Sequence, residues 1–89
     1  MANCELTIVN KLGLHARAAA KLVSLASGFE SDITIKRGAQ EVNAKSIMGV
    51  MMLAAAKGVV IEVYADGADA DEALAEITEL VQNRFGESE

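Results

Sequence analysis

The chain has 89 residues, a formal net charge of −5 and 52% apolar residues, which fits one globular domain over residues 1–89 with a modest core. Its acidity and its lack of tryptophan argue against a nucleic-acid binder. No apolar run approaches the roughly 20 residues that cross a bilayer, no signal-like segment opens the chain, and the single cysteine, Cys4, excludes an internal disulfide, so we expect a cytoplasmic protein with no membrane partner.

The first half of the chain alternates strand and helix patterns. Apolar and polar residues alternate over residues 4–9, which predicts a half-buried strand. Residues 16–27 are predicted to form a helix with one polar stripe, made of Arg17, Lys21 and Ser24. Two further strands, at residues 32–36 and 41–44, flank a predicted hairpin turn.

The second half continues the same alternation. Ser46 precedes a predicted helix over residues 47–56 that Gly49 interrupts, and the β-branched run 59–65 predicts the strongest strand. Asp69 and Glu72 have the spacing of a capping box at the start of a third helix. The buried stripe of that helix is predicted to be Ala70, Ala73, Leu74, Ile77, Leu80 and Val81. The order β-α-β-β-α-β-α favours an α+β fold with helices on one face of an antiparallel sheet.

The start of the first helix carries the chemistry of this sequence. His15, the only histidine, stands at the helix mouth, and Arg17 lies in the first turn. A cation there opposes the helix dipole by a few tenths of a kcal/mol or more, whereas a bound anion would explain it. The backbone N–H groups of Ala16 and Arg17, with the guanidinium, could cradle a phosphate, and neutral imidazole can attack phosphorus. Taken one at a time, the histidine could instead be a surface residue and the arginine a solvated charge.

Charge is distributed in a way that suits such an anion site. Residues 1–58 contain seven Lys or Arg against four Asp or Glu, and residues 59–89 contain one Arg against nine acids. The first part therefore offers a basic surface to an anion or an acidic partner.

The segment GLHARAAAKL closely resembles the active-site segment of the HPr family, the histidine-containing phosphocarriers of bacterial phosphotransferase systems, whose pattern is Gly-Leu-His-Ala-Arg-Pro-Ala. The matching positions are Gly13, Leu14, His15, Ala16, Arg17 and Ala19. A second block, KSIMGVMMLAAAKG at residues 45–58, resembles the regulatory-serine segment of that family.

The resemblance implies an open-faced β-sandwich with a four-stranded antiparallel sheet and three helices. It implies that His15 accepts a phosphoryl group through Nδ1 and that Arg17 stabilises that group. The chain would then be a carrier without turnover of its own, which receives the group from a phosphoenolpyruvate-dependent enzyme I and passes it to EIIA-type acceptors, for sugar uptake or for nitrogen or carbon regulation. We expect no metal, no cofactor and a monomer.

One residue departs from the family pattern, since Ala18 stands where the family has proline. Proline would fix the backbone of the first helical turn, so the substitution bears on how rigidly the amides beside His15 are held. The second block and Ala18 look closer to proteobacterial members, including the nitrogen-related branch.

Ser46 and the residues after it suggest a second functional surface. Ser46 is predicted to cap the second helix, and the resemblance implies a site for an HPr serine kinase found in some bacteria. We expect Ile47, Met48 and Met51 to form an adaptable apolar docking patch beside His15.

Two other classes of function fit the residues alone. An acylphosphatase-like enzyme would use Arg17 to hold a phosphate and water as the nucleophile, so that it would tolerate loss of His15. A small anion-binding regulatory domain would bind phosphate or carboxylate with no covalent product.

Overall fold

The structure is a computed structural model that describes residues 2–88. The elements follow the predicted β-α-β-β-α-β-α order and end in a short 3₁₀ turn. They are β1 (Ala2–Thr7), α1 (Ala16–Ser27), β2 (Asp32–Arg37), β3 (Gln40–Asn43), α2 (Ile47–Met52), β4 (Val60–Asp66), α3 (Ala70–Gln82) and the turn Arg84–Gly86.

The four strands form one antiparallel sheet in the order β1-β4-β2-β3. Along β4, Ile61, Val63 and Ala65 are buried, while the residues between them are at least partly exposed. This alternation shows that helices cover one face of the sheet and leave the other open. The predicted α+β open-faced sandwich is therefore confirmed.

Helices α1 and α3 supply much of the core opposite the sheet. In α1 the polar stripe is exposed as predicted, and Ala18, Ala19, Leu22 and Ala26 are buried. In α3 the predicted stripe faces inward, with Ala70 and Leu80 half-buried and its other four members buried. After α3, Phe85 is completely buried and anchors the C-terminal segment.

The second helix is shorter than predicted, and it runs through Gly49 without a break. It ends at Met52 rather than at residue 56, and Ala54 has a left-handed backbone with φ of 50°. The end is fixed from outside the helix. Arg37 donates to the carbonyls of Leu53 at 2.8 Å and Ala54 at 3.0 Å, and Gln40 donates to the carbonyl of Met52 at 3.0 Å. These bonds satisfy carbonyls that a longer helix would have paired.

The capping box predicted for Asp69 and Glu72 is wrong. Asp69 is the N-cap residue of α3, but its side chain makes no capping bond to the helix. Its carboxylate instead accepts from Ser31 Oγ at 2.5 Å, from the Ser31 N–H at 3.0 Å and from the Glu30 N–H at 2.9 Å. These bonds lower the pKa of Asp69, the Ser31 hydroxyl having the largest effect. Asp69 therefore ties the start of α3 to the segment before β2.

Candidate functional site

His15 is the N-cap residue of α1, with an extended backbone at φ −72° and ψ 177°. Its carbonyl accepts the Ala19 N–H at 2.8 Å, which closes the first turn of the helix. Its side chain makes no capping bond, and the first turn contains no acidic residue. The imidazole is therefore half-buried at the helix mouth with the ring available for other partners.

The loop before His15 is packed against the segment that follows α2. Leu14 is buried, and its N–H donates to the carbonyl of Ala55 at 2.9 Å. Gly13 has φ of +64°, and a Cβ there would lie 2.5 Å from the same carbonyl oxygen. Glycine is thus required both by the backbone angle and by the close approach. This contact fixes the histidine loop relative to the segment that follows α2.

Glu87 contacts the histidine directly, and no motif in the sequence indicated this partner. His15 Nε2 lies 2.5 Å from Glu87 Oε2. The other carboxylate oxygen accepts from Asn10 Nδ2 at 3.1 Å, and the same amide nitrogen donates to the Gly13 carbonyl at 2.8 Å. These hydrogen bonds, that of His15 first, lower the pKa of Glu87, so it is ionised at neutral pH.

The C-terminal segment is held in place two residues before Glu87. Phe85 is buried with φ of 54°, and its carbonyl accepts from Lys21 Nζ at 2.6 Å. An apolar residue in an otherwise polar tail is the sequence signal that could have revealed this docking. No local sequence pattern, however, indicated that Glu87, two residues later, contacts His15.

His15, Ala16 and Arg17 come together at one open pocket of about 610 Å³. Its lining is Lys11, Leu12, His15, Ala16, Arg17, Glu87 and Ser88. The Arg17 side chain is exposed and makes no hydrogen bond or ion pair with any residue from 2 to 88. The predicted phosphate-cradle groups thus share a site with the ring, and the guanidinium there is available to an incoming anion.

Ser46 lies outside this pocket and caps α2, as predicted. Its backbone is extended, with φ −114° and ψ 114°, and its Oγ accepts the Gly49 N–H at 3.1 Å. The predicted phosphorylation of this hydroxyl stays a prediction.

The predicted docking residues do not line the His15 pocket either. Ile47 and Met51 are each 41% exposed and Met48 is 68% exposed, whereas Val50 is the one buried residue of α2. Most of this short helix therefore presents large apolar side chains outward. The helix that carries the patch packs against α1, and the segment after it contacts the histidine loop.

Two other kinds of site receive no support from residues 2–88. These residues contain no group of three or more His, Cys, Asp or Glu side chains placed to hold a metal ion. Within the same range, none of the helices has the length and apolar character needed to cross a membrane.

Comparison with protein families and curated proteins gives consistent matches. Residues 2–83 match the family described as "PTS HPr component phosphorylation site". The chain is 58% identical over 83 residues to the phosphocarrier protein HPr of Xylella fastidiosa (strain Temecula1 / ATCC 700964), covering 93% of each chain. It is 48% identical over 84 residues to the phosphocarrier protein NPr of Shewanella violacea, covering 94% of this chain and 92% of that one.

Solved structures agree with these matches. HPr-C-His from Thermoanaerobacter tengcongensis superposes with a TM-score of 0.96 at 43% identity and covers 100% of both chains. An HPr dimer from the same organism superposes with a TM-score of 0.79 at 44% identity and covers 98% of this chain and 100% of that one.

Proposed function

The chain belongs to the HPr family of phosphocarrier proteins, and we propose that it carries a phosphoryl group on Nδ1 of His15. The donor is enzyme I of a phosphoenolpyruvate-dependent phosphotransferase system, and the acceptor is an EIIA-type protein, both in the cytoplasm. The observation that supports this proposal is that one open pocket holds both the imidazole, whose Nε2 contacts Glu87, and the Arg17 guanidinium, which has no partner among residues 2–88.

The transfer needs only groups that line this pocket. The lone pair of neutral Nδ1 attacks phosphorus, a new N–P bond forms, and the bond to the donor atom breaks with its electron pair left on the donor. Arg17 and the N–H groups at the start of α1 neutralise the phosphoryl oxygens. Transfer to the acceptor reverses these steps, so the chain ends as it began and acts as a stoichiometric carrier rather than as an enzyme.

The two alternative functions gain nothing from the relatives, which are phosphocarriers. An acylphosphatase-like enzyme or an anion-binding regulatory domain would also leave the ionised Glu87 on the histidine without a purpose.

The relatives carry both the HPr and the NPr names, so the choice between sugar uptake and nitrogen-related regulation depends on which EIIA-type acceptor is used.

Docking is proposed to use the apolar surface of α2 together with the basic rim of the pocket. Ile47, Met48 and Met51 offer adaptable contacts that successive partners can share. Arg17 adds positive charge for an acidic partner surface. Because enzyme I and the acceptors must reach the same site, we propose that the working form is a monomer.

Phosphorylation of Ser46 is proposed as the regulatory input, by a dedicated serine kinase where the organism has one. The hydroxyl caps α2 directly before Ile47 and Met48. A phosphate there would be tolerated at the helix N-terminus but would place negative charge against the docking surface. The expected result is weaker binding of an acidic partner without unfolding.

Intact-mass measurement tests the carrier function. The chain and a His15→Ala variant are incubated with phosphoenolpyruvate and a purified enzyme I, and a Lys57→Ala variant serves as a surface control. A single acid-labile phosphoryl adduct on the native chain and on the control, absent from His15→Ala, is the expected result. An adduct that persists without the histidine would remove His15 from the mechanism.

A further inference from the structure

We propose that Glu87 is a positioning residue for the phosphoryl transfer described above. Its carboxylate, braced by Asn10, fixes the proton of His15 on Nε2 and thereby keeps the lone pair of Nδ1 available to phosphorus. The proposal rests on the carrier function, and it adds a residue from the far end of the chain to the site.

The contact requires a particular form of the imidazole. An ionised carboxylate only accepts hydrogen bonds, so the 2.5 Å contact places a hydrogen on Nε2. A neutral ring with its hydrogen on Nε2 carries its lone pair on Nδ1. The reacting nitrogen is therefore selected by what the other nitrogen donates to.

The Glu87 carboxylate is itself held in place by a hydrogen bond from Asn10. Its second oxygen accepts from Asn10 Nδ2, and that buried amide also donates to the Gly13 carbonyl in the histidine loop. The side chain of Glu87 is 15% exposed and that of His15 is 28% exposed, so both groups are largely removed from water. Buried Phe85, with its carbonyl bound by Lys21, brings the C-terminal segment to this place. The ring and the acid are thus ordered by one connected set of contacts.

The arrangement also fits the charge that transfer creates. When Nδ1 bonds to phosphorus and Nε2 keeps its hydrogen, the ring becomes a cation, and no proton has to leave His15. Among residues 2–88, Glu87 is the one acid that lines the pocket, and the other charged residues lining it are Lys11 and Arg17. The positive charge of Lys21, in α1, also favours the ionised form of the Glu87 carboxylate. The carboxylate stabilises the charged ring, as the buried aspartate does for the histidine of a serine protease.

Nitrogen NMR of the ring, recorded at about pH 8.5 where histidine is ordinarily neutral, tests the geometric part without any partner protein. Native chain and Glu79→Gln, which removes an exposed acid from α3, should both show the Nε2–H form. Glu87→Ala, and Glu87→Asp with its shorter reach, should show a mixture of the two tautomers. A ring that stays wholly in the Nε2–H form in both variants would overturn the proposal.

Single-turnover transfer from phosphorylated enzyme I tests the functional part. Phosphoryl transfer to both Glu87 variants should be slower by about 10-fold, a loss similar to that on removing a carboxylate that orients a metal-bound histidine. Transfer to Glu79→Gln should be unchanged. A changed tautomer at an unchanged rate, or a slower rate with the Nε2–H form intact, would overturn the positioning role. Failure of the native chain to accept phosphate would instead refute the carrier function, and the tautomer result would show whether the geometry holds.

Discussion

Gly13 lies so close to Ala55 that a Cβ on the glycine would come within 2.5 Å of the Ala55 carbonyl oxygen. The neighbouring Leu14 N–H bonds to the same oxygen, so the histidine loop shares a backbone contact with the segment that follows α2. This contact joins the two sequence blocks that resemble the HPr family. It links the loop that carries His15 to the segment directly after the helix of the proposed docking residues.

Replacing Gly13 by alanine should destabilise the protein by about 2 kcal/mol or more, since strain at a positive φ adds to a clash with backbone. Urea unfolding measures this difference. Gly38→Ala is the matched control, because Gly38 has φ of +59° but nothing within 4 Å of its added Cβ. Equal losses for the two variants would show that the Ala55 contact contributes nothing beyond the backbone angle.

Removal of the Arg17 guanidinium should separate function from stability. The side chain is exposed and unpaired among residues 2–88, so Arg17→Ala should change the free energy of unfolding by less than about 0.5 kcal/mol. The rate of phosphoryl transfer from enzyme I should fall by about 100-fold, as when a preorganised donor to developing charge is removed. Single-turnover transfer and urea unfolding of Arg17→Ala and Lys57→Ala decide the matter. Unimpaired transfer would mean that the phosphoryl group does not contact the guanidinium.

The hydrogen bonds of Asp69 should make stability depend on acid pH. Its pKa is lowered in the folded state, so its contribution is complete above its unfolded value of about 3.9. That contribution is lost as pH falls through the lowered folded value, where Ser31 and Glu30 lose an ionised acceptor. Asp69→Asn should therefore be less stable than the native chain at pH 7, and the difference should shrink in strong acid.

Urea midpoints across pH test this expectation. Asp32→Asn is the control, because the Asp32 side chain is exposed on β2 and makes no hydrogen bond or ion pair within residues 2–88. A constant difference between native chain and Asp69→Asn at every pH would show that the ionised form of the carboxylate is not what stabilises the contact.

The sequence predicted those features that depend on residues close in the chain. Helix α1 has the predicted bounds because an unbroken run of helix formers ends at Gly28, and Ser46 caps α2 as its position before an apolar run indicated. The predicted end of α2 was wrong because Arg37 and Gln40, from the β2–β3 hairpin, determine where the helix ends.

The pairing of His15 with Glu87 could not be predicted for the same reason, because 72 positions separate them. Buried Phe85 determines where the acid lies, and only the folded arrangement of α1 and α3 shows that. The sequence thus revealed the reacting ring and the cation beside it, while the group that orients the ring required the structure.

Two substitutions of Ser46 should distinguish its role in stability, as the cap of α2, from its proposed role in regulation. Ser46→Ala removes the acceptor for the Gly49 N–H and should cost about 1 kcal/mol. Ser46→Asp restores an acceptor, so it should be about as stable as the native chain, but its charge should slow transfer. Urea unfolding and single-turnover transfer of both variants give the two readouts. Native transfer rates for Ser46→Asp would indicate that negative charge at this position does not oppose docking.

The apolar surface of α2 gives a direct test of docking. Met48 is 68% exposed, so Met48→Glu should leave the free energy of unfolding within about 0.5 kcal/mol of the native value. If partners cover this surface, a buried unpaired charge should weaken their binding and slow transfer by about 10-fold or more. Val60→Glu is the matched control, since Val60 is 49% exposed at the start of β4 on the open face of the sheet. Titration of each variant with enzyme I and with an EIIA-type acceptor separates the two partners. Unchanged binding of Met48→Glu to both would mean that docking uses the basic rim around Arg17 and not α2.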